Sequence, residues 1–280
     1  MTASTGVGSL HGCTTWGEVH MSTAFFLSAF DLVDVGDVDV LNQAAEESDR
    51  VEALVLSDEA VRQVTGKLPV IPAKERLEIV GAIRDVSDAD IFDPHRSIKR
   101  SVNDIVFARE SVGVGAAPVD RWIAPRRLRP ASDMASLRAA KTGHGVLGYV
   151  PGAWDRFHIG HLNLLRRARQ HCDRLVVGVV TDQELYNAKG KMPMVPLEER
   201  MQVVAAMDIV DAVVVDFSTS KLDVWDRVHF DVLFKGDDWK GTSKGTQLET
   251  EMLSVGASVH YFPYTAHTSS TALRQILAGR

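Results

Sequence analysis

The chain has 280 residues, of which 45% are hydrophobic and 24% are charged, and its formal net charge is −6. This composition is typical of a globular protein and argues against broad electrostatic attraction to nucleic acid or anionic lipid. No apolar run reaches the ~18 residues of a membrane span, and Cys13 and Cys172 have neither disulfide nor zinc-site spacing. These features favour a cytoplasmic protein without a structural metal site.

The chain begins with residues 1–20, which are rich in Gly, Ser and Thr and are predicted to form a flexible arm without a signal-peptide pattern. The segment that follows is repeated later in the chain. Residues 30–83 align with residues 154–207 without a gap, with 16 identities in 54 positions. A match that stays in phase for so long indicates two copies of one domain.

The two copies are assigned to residues 21–115 and 145–280, with a linker at 116–144. The predicted elements of the second copy are, in chain order, a strand at 146–150, a helix at 162–170, a strand at 175–180, a helix beginning at Pro196, and strands at 213–215 and 232–234. The expected fold class is therefore α/β, with two tandem Rossmann-like domains that each consist of a parallel sheet flanked by helices. Ligands of such sheets bind beyond the carboxyl ends of the strands.

The first strand of the second copy leads into a short motif at the start of a helix. A turn at 152–155 is followed by His158-Ile159-Gly160-His161. A helix N-terminus presents free N–H groups and a partial positive charge, which favours phosphate binding. Gly160 allows a ligand to approach the backbone closely, and two imidazoles three residues apart can donate to one phosphate. The pattern predicts a phosphate site built on His158 and His161.

The motif GAWDRFHIGH resembles the Gly-x-Phe-Asp-x-x-His-x-Gly-His signature of the cytidylyltransferase-like nucleotidyltransferase superfamily. The further segments that resemble parts of this family are AKGKMP with Lys189 and Lys191, LEERMQVV with Arg200, FKGDDW at 234–239, and TSSTALR at 268–274. The Gly-Asp-Asp-Trp at 236–239 is similar to that of bacterial glycerol-3-phosphate cytidylyltransferases and favours the cytidylyltransferase branch. The resemblance covers the whole second copy, and its fold outline covers the first.

The resemblance implies roles for individual residues. His158 and His161 would contact the α-phosphate and its transition state, and Lys191 would act with them from a mobile loop. Mg²⁺ would travel with the triphosphate. The remaining predicted nucleotide-binding residues are Gly152, Ala153, Trp154, Asp155, Gly160, Lys189, Arg200, Gly236, Asp238, Trp239, Ser269, Ser270, Thr271 and Arg274. For Arg200 an ion pair with Glu198 or Asp208 is the alternative.

The function that this resemblance implies is transfer of CMP from CTP to a small phosphate- or phosphonate-bearing acceptor, with release of pyrophosphate. The acceptor is left open among glycerol 3-phosphate, phosphoethanolamine, phosphocholine and a hydroxyalkylphosphonate. Two basic residues of the glycerol-3-phosphate enzymes are replaced here by Asp208 and Tyr264. The alternatives are an adenylyltransferase that uses ATP and a non-catalytic regulatory or scaffold protein.

The first copy differs from the second at the motif. Asp34 and Asp37 take the places of His158 and His161, while Gly36 keeps the place of Gly160. Two carboxylates at a helix N-terminus repel phosphate, so the first copy is predicted not to bind CTP there. It is expected instead to be an inactive partner in an intramolecular pseudo-dimer, with a further homodimer left open. A metal ion bound by the two aspartates is the alternative.

Overall fold

The computed structural model describes residues 21–93, 97–109, 119–126 and 134–263, together with Leu273. These residues form two α/β domains, each built on a sheet of five parallel strands, which confirms the predicted fold class. The predicted arm, residues 1–20, lies outside the described residues, as do the predicted phosphate-binding residues Ser269, Ser270, Thr271 and Arg274.

The first sheet has the strand order β3-β2-β1-β4-β5. Its strands are β1 (Thr23–Ser28), β2 (Arg50–Leu56), β3 (Asp88–Phe92), β4 (Ile105–Arg109) and β5 (Arg121–Ile123). The helices that lie between these strands are α1 (Val35–Glu47), α2 (Asp58–Thr65) and α3 (Ala73–Val80). Helix α4 (Met134–Thr142) follows β5 and leads to the second domain.

The second sheet has the order β10-β9-β6-β7-β8, which matches the first sheet read from its opposite edge. Its strands are β6 (Leu147–Gly152), β7 (Arg174–Val180), β8 (Ala212–Asp216), β9 (Val232–Gly236) and β10 (Ser258–Phe262). Its helices are α5 (Ile159–Arg169), α6 (Asp182–Lys189), α7 (Leu197–Ala205), α8 (Lys221–Val228) and α9 (Ser243–Ser254), and a 3₁₀ turn spans Asp237–Trp239. Strand order reverses between β6 and β9, so both strands end at the place where such sheets bind ligands.

The segment predicted as a linker, 116–144, contains parts of both domains, and the domain boundaries are revised accordingly. Strand β5 pairs with β4 at the edge of the first sheet, so the first domain extends to Ile123. Helix α4 packs on the second domain, where Leu137 and Ala140 are buried against its core. Both elements are short, and their apolar residues gain burial only from a sheet that is distant in sequence.

The two domains face each other across a pseudo-two-fold axis. The Arg84 N–H donates to the Ala206 carbonyl at 2.8 Å, and the Asp208 N–H donates to the Ala82 carbonyl at 2.9 Å. Positions 82 and 84 become 206 and 208 under the constant offset of the sequence repeat. The repeat is therefore reproduced in space as the self-complementary contact of a symmetric dimer, made within one chain.

The interface between the domains is apolar at its centre. Ile83 and Met207, which are equivalent in the repeat, pair with each other on the axis and are both fully buried. The buried residues of the two domains join there into one hydrophobic cluster. At its margin the Arg166 guanidinium of α5 lies 2.8 Å from the Glu78 carboxylate of α3. None of the described helices is long and apolar enough to cross a membrane.

Candidate active site

The histidine motif begins helix α5 at the carboxyl end of β6. His158 is the N-cap residue, and its Nδ1 accepts a hydrogen bond from the Gly160 N–H at 3.1 Å. The turn before it contains two residues with positive φ, Trp154 at 56° and Arg156 at 52°. This turn brings the motif over the end of the sheet, where the first N–H groups of α5 point away from the helix.

The cap determines which nitrogen of His158 carries hydrogen. Because Nδ1 accepts from the backbone, the neutral ring carries its proton on Nε2, which is thereby a donor. Burial, together with the positive charge of Arg156, lowers the pKa of His158 to about 4. At neutral pH the ring is therefore uncharged, and it can still donate one hydrogen bond to an anion.

His161 lies one turn further along α5 and stacks on His158, with ring centroids 3.8 Å apart and planes inclined by 20°. Burial lowers its pKa well below the usual range, and the nearby charges of His158 and Lys189 act in the same direction. Its Nδ1 is buried and has no hydrogen-bond partner among the described residues. The two imidazoles therefore form one compact, uncharged pair at the helix N-terminus.

The predicted phosphate-binding lysines lie on the segment that leaves α6. Lys189 ends the helix, Gly190 follows in the left-handed conformation at φ 64°, and Lys191 begins the loop. Both lysine side chains are exposed. The charge of Lys189 reaches His161 on one side and Lys235, at the end of β9, on the other. This segment therefore adds positive charge to the edge of the sheet where the motif lies.

Three residues predicted to bind nucleotide make contacts that hold the framework of the site. The fully buried guanidinium of Arg200 donates to the carbonyls of Val195 at 2.9 Å and Val180 at 2.9 Å, and also to the Ala153 carbonyl. It forms an ion pair with Asp182 at 2.5 Å. The partners expected from the sequence alternative, Glu198 and Asp208, are not used.

The carboxylate of Asp155, also buried, accepts hydrogen bonds from the N–H groups of Met194 at 3.0 Å and Val195 at 3.1 Å. The Trp154 indole is buried below the motif, and its N–H donates to the Gly178 carbonyl at 2.9 Å. Contacts of this kind set the shape of the turn and the position of the loop before α7.

The first domain makes the same framework contacts. Arg76 donates to the carbonyls of Ile71 and Ala29 and pairs with Asp58, and Asp31 accepts from the N–H groups of Val70 and Ile71. Each of these residues is the repeat equivalent of its counterpart in the second domain. The first domain makes these contacts although it lacks the histidines, so the contacts do not depend on the motif.

The segment after β9 contributes the remaining described candidates. Gly236 ends the strand, and a Cβ at this position would lie 2.7 Å from the Asp238 carboxylate. Asp238 is exposed, while Trp239 is half-buried and packs against the core of the α8 and α9 face. Gly152 ends β6 in a similar way, because a Cβ there would lie 2.7 Å from the Trp154 ring. Both glycines therefore allow the backbone to lie close to neighbouring side chains at the ends of β6 and β9, where the strand order reverses.

Lys235 is a site residue that the motif search did not single out. Its ammonium lies 4.1 Å from the centre of the Trp239 ring, at the carboxyl end of β9. Burial, together with the charge of Lys221, lowers the pKa of Lys235 to about 8. The signal in the sequence is a lysine that directly follows the buried apolar run 232–234.

Comparison with known proteins shows the family. A family model described as cytidylyltransferase-like matches residues 25–119 and 149–276, which make up most of both domains. The chain belongs to the cytidylyltransferase-like family. This result confirms the resemblance drawn from the sequence and the expectation of a nucleotidyltransferase.

Two curated relatives illustrate the family match, and one solved structure is also similar to part of the chain. The bifunctional protein HldE of Koribacter versatilis is 37% identical over 174 residues, which cover 57% of this chain and 35% of that protein. Ethanolamine-phosphate cytidylyltransferase of Arabidopsis thaliana is 41% identical over 95 residues, which cover 32% of this chain and 22% of that protein. The chain therefore spans about a third or less of the length of these relatives. A lipopolysaccharide core biosynthesis protein from Thermoplasma volcanium GSS1 has a TM-score of 0.40 and 22% identity, covering 45% of this chain and 100% of that chain.

The first cytidylyltransferase-like domain has a different arrangement at the equivalent helix N-terminus. Asp34 caps α1 by accepting from the N–H groups of Gly36 and Asp37. The Arg109 guanidinium, from the end of β4, lies 2.7 Å from Asp34 and 3.1 Å from Asp37. A Cβ at Gly36 would overlap this guanidinium. An internal arginine thus lies over this helix N-terminus and is the charge partner of the two aspartates.

Arg109 has a defined counterpart in the second cytidylyltransferase-like domain. Strand β4 pairs with β1 in the same register as β9 pairs with β6. Continuing this register to the strand ends makes Gly236 the equivalent of Arg109. The second domain therefore has no side chain at the position from which Arg109 reaches over the helix. At these equivalent positions the second domain has a glycine and imidazoles, and the first has an arginine and carboxylates.

Proposed function

We propose that the second domain transfers CMP from CTP to a small acceptor that carries a phosphate or phosphonate group, releasing pyrophosphate. The observation that carries this proposal is the stacked pair of His158 and His161 at the N-terminus of α5, at the carboxyl end of β6. A phosphate at this place would meet the helix dipole, one or both imidazoles and the charge of Lys189. The name of the Arabidopsis relative supports CTP as the donor and ethanolamine phosphate as one acceptor to test.

The proposed transfer reaction does not need a strong general base. An acceptor phosphate oxygen is already ionised near neutral pH, and the barrier arises from charge that builds up on the α-phosphate and the leaving pyrophosphate. Positioned donors that stabilise this charge lower the barrier. The neutral state of His158 and His161 suits that role, because a neutral donor stabilises the transition state without a strong ion pair to the bound substrate.

We propose that Mg²⁺ enters with the triphosphate. The carboxylate of Asp155, which lies in the motif, is committed to two backbone N–H groups. Within the described ranges no three His, Cys, Asp or Glu residues are arranged to hold a metal ion. The described protein groups therefore fit a Mg²⁺ ion that is held mainly by phosphate oxygens. The ion would neutralise the charge of those oxygens.

Pyrophosphate release tests this proposal. The purified protein is incubated with each nucleoside triphosphate and a panel of phospho-alcohols, phospho-amino alcohols and hydroxyalkylphosphonates. We expect turnover with CTP and at least one acceptor, and no turnover after replacement of both His158 and His161 by alanine. Preference for ATP would favour an adenylyltransferase, and absence of turnover with every pair would remove the support for an enzyme.

A further inference from the structure

Lys235 lies on the opposite face of the second sheet from the histidines. Successive side chains of a strand point to opposite faces. Phe234 packs in the cluster that contains α5, whereas Leu233 packs with α8 and α9. Lys235 therefore shares the face of Leu233, while His158 and His161 reach the same edge of the sheet from the other side.

The ammonium of Lys235 is not held in an ion pair. Within the described part of the chain it makes neither a hydrogen bond nor an ion pair, and it lies 4.1 Å from the centre of the Trp239 ring. Of the two carboxylates whose charge reaches it, Asp216 and Asp238, the first is already paired with Lys221 at 2.8 Å and accepts from the Tyr149 hydroxyl at 3.1 Å. A half-buried cation whose neighbouring carboxylate is occupied is suited to bind an anion from outside the chain.

The wall beside Lys235 is a hydrogen-bonded cluster. Asp216 is fully buried and accepts from the Tyr149 hydroxyl and the Lys221 ammonium, which also donates to the Ser218 carbonyl. Gly178 has no space for a side chain, because a Cβ there would overlap the Tyr149 hydroxyl. The carboxylate of Asp216 is therefore occupied within the cluster of Tyr149, Asp216 and Lys221.

Two anions must meet in the proposed reaction, and the second domain offers two separate positive sites. The helix N-terminus and Lys189 suit the triphosphate. We infer that Lys235 binds the phosphate or phosphonate group of the acceptor, with the Trp239 ring below its ammonium and the Tyr149, Asp216 and Lys221 cluster as the adjoining wall. This inference rests on the proposed function. It assigns recognition of the acceptor class to the end of β9, where the strand order of the sheet reverses.

Steady-state kinetics separate acceptor binding from nucleotide binding. Lys235→Met keeps the aliphatic stem over Trp239 and removes the charge. We expect the KM for the acceptor to rise about ten-fold to a hundred-fold, as for loss of a charged hydrogen bond, while the KM for CTP changes less than about two-fold. Lys235→Arg should restore much of the acceptor affinity, and Lys244→Met, an exposed residue of α9, serves as the matched control.

Two kinetic results would overturn the inference. One is an unchanged KM for the acceptor in Lys235→Met, and the other is a rise in the KM for CTP of the same size. The second result would assign Lys235 to the nucleotide.

The pH dependence provides another readout. The charged groups that influence the Lys235 ammonium are Lys189 of α6, Lys221 of α8, Asp216 of β8 and Asp238 after β9. Lys235 is protonated below its pKa of about 8, so kcat/KM for the acceptor should fall as the pH rises above about 8. This fall should be absent in Lys235→Arg, because arginine stays charged; its persistence would contradict the role given to Lys235.

A titration without turnover distinguishes failure of this inference from failure of the proposed function. Inorganic phosphate or methylphosphonate is added to the whole chain while tryptophan fluorescence is recorded. We expect a saturable change that is lost in Trp239→Phe, which assigns the signal, and lost in Lys235→Met. An unchanged titration in Lys235→Met overturns the inference. If the titration requires Lys235 but no triphosphate is turned over, the anion site stands and the proposed transfer reaction fails.

Discussion

At the residue scale, the two domains use the same cap position for opposite chemistry. His158 and Asp34 both accept from the backbone at the start of their helices, at Gly160 and Gly36 respectively. After capping, the imidazole still has an N–H to donate, whereas the carboxylate has only further acceptors and a negative charge. One substitution therefore preserves the helix and reverses the kind of ligand that its N-terminus can bind.

Replacement of His161 by alanine tests the role of the second imidazole. We expect kcat for pyrophosphate release to fall about 10²-fold to 10³-fold, as for removal of one donor to a transition state. The replacement His171→Ala, on an exposed histidine outside the motif, should retain activity. Turnover of His161→Ala close to the wild-type value would contradict the assigned role.

Replacement of Asp37 by asparagine tests the electrostatics of the Asp34, Asp37 and Arg109 cluster in the first domain. Burial and the negative charge of Asp34 raise the pKa of Asp37 to about 6, against the opposing effect of Arg109. The unfolded pKa is about 3.9, so the folded state binds the proton more tightly. The stability that this proton provides is present below about pH 4 and is lost as the pH rises through about 6.

The wild-type protein should therefore lose free energy of unfolding between about pH 4 and pH 6 relative to Asp37→Asn, by up to about 3 kcal/mol. Urea denaturation at several pH values measures this difference. The same change at Asp93, an exposed residue after β3, serves as a control. Parallel pH profiles for the wild type and Asp37→Asn would show that Asp37 does not titrate as expected.

At the element scale, one buried arginine in each domain ties three segments of backbone together. Arg200 joins the end of β7, the turn before α5 and the start of α7, and Arg76 makes the equivalent contacts in the first domain. A guanidinium has five N–H donors in a fixed plane, which suits a junction of several carbonyls. These contacts hold the turn before α5 in place, and they do not require a bound phosphate.

Replacing each arginine by methionine separates framework from chemistry. We expect Arg200→Met and Arg76→Met each to lose about 3 kcal/mol of unfolding free energy, because buried carbonyls and a carboxylate lose their donor. Arg200→Met should also lose activity, while Arg76→Met should stay active under conditions where it is folded. Urea denaturation together with pyrophosphate release measures both effects. A fully stable but inactive Arg200→Met would instead support direct contact with the nucleotide.

At the scale of the whole molecule, the first domain supports the second through their shared core. Helix α5, which carries the histidines, packs against α3 of the first domain and is tied to it by the Arg166–Glu78 ion pair. The axis of the repeat passes through Ile83 and Met207. A domain without the motif is therefore part of the surroundings that position the motif.

A charge on this axis should uncouple the two domains. Ile83→Asp leaves a carboxylate in a dry interface, and we expect a loss of about 3 kcal/mol or more of unfolding free energy. Urea unfolding should change from one transition to two as the domains lose their common core. Leu253→Asp, at a position that is 76% exposed, is the control for an added charge. A single transition at the wild-type midpoint would show that the interface contributes little.

The sequence by itself determined the features that are local in the chain. The repeat, the parallel strands and the histidine motif depend on neighbouring residues and their periodicity, and the structure places 175–180 in β7 and the motif at the start of α5. The loss of imidazoles in the first domain was also readable, because Asp34 and Asp37 align with His158 and His161 without a gap.

Only the tertiary structure decided which side chains meet across the chain. Arg109 reaches Asp34 from 75 residues away, and Arg200 takes its partners from three segments, so neither role is visible in a local pattern. Contacts between distant segments also decided the boundary between the domains and the position of Lys235 over Trp239, outside any ion pair. Burial is what gives these groups their roles, and burial depends on the packing of elements that are distant in sequence.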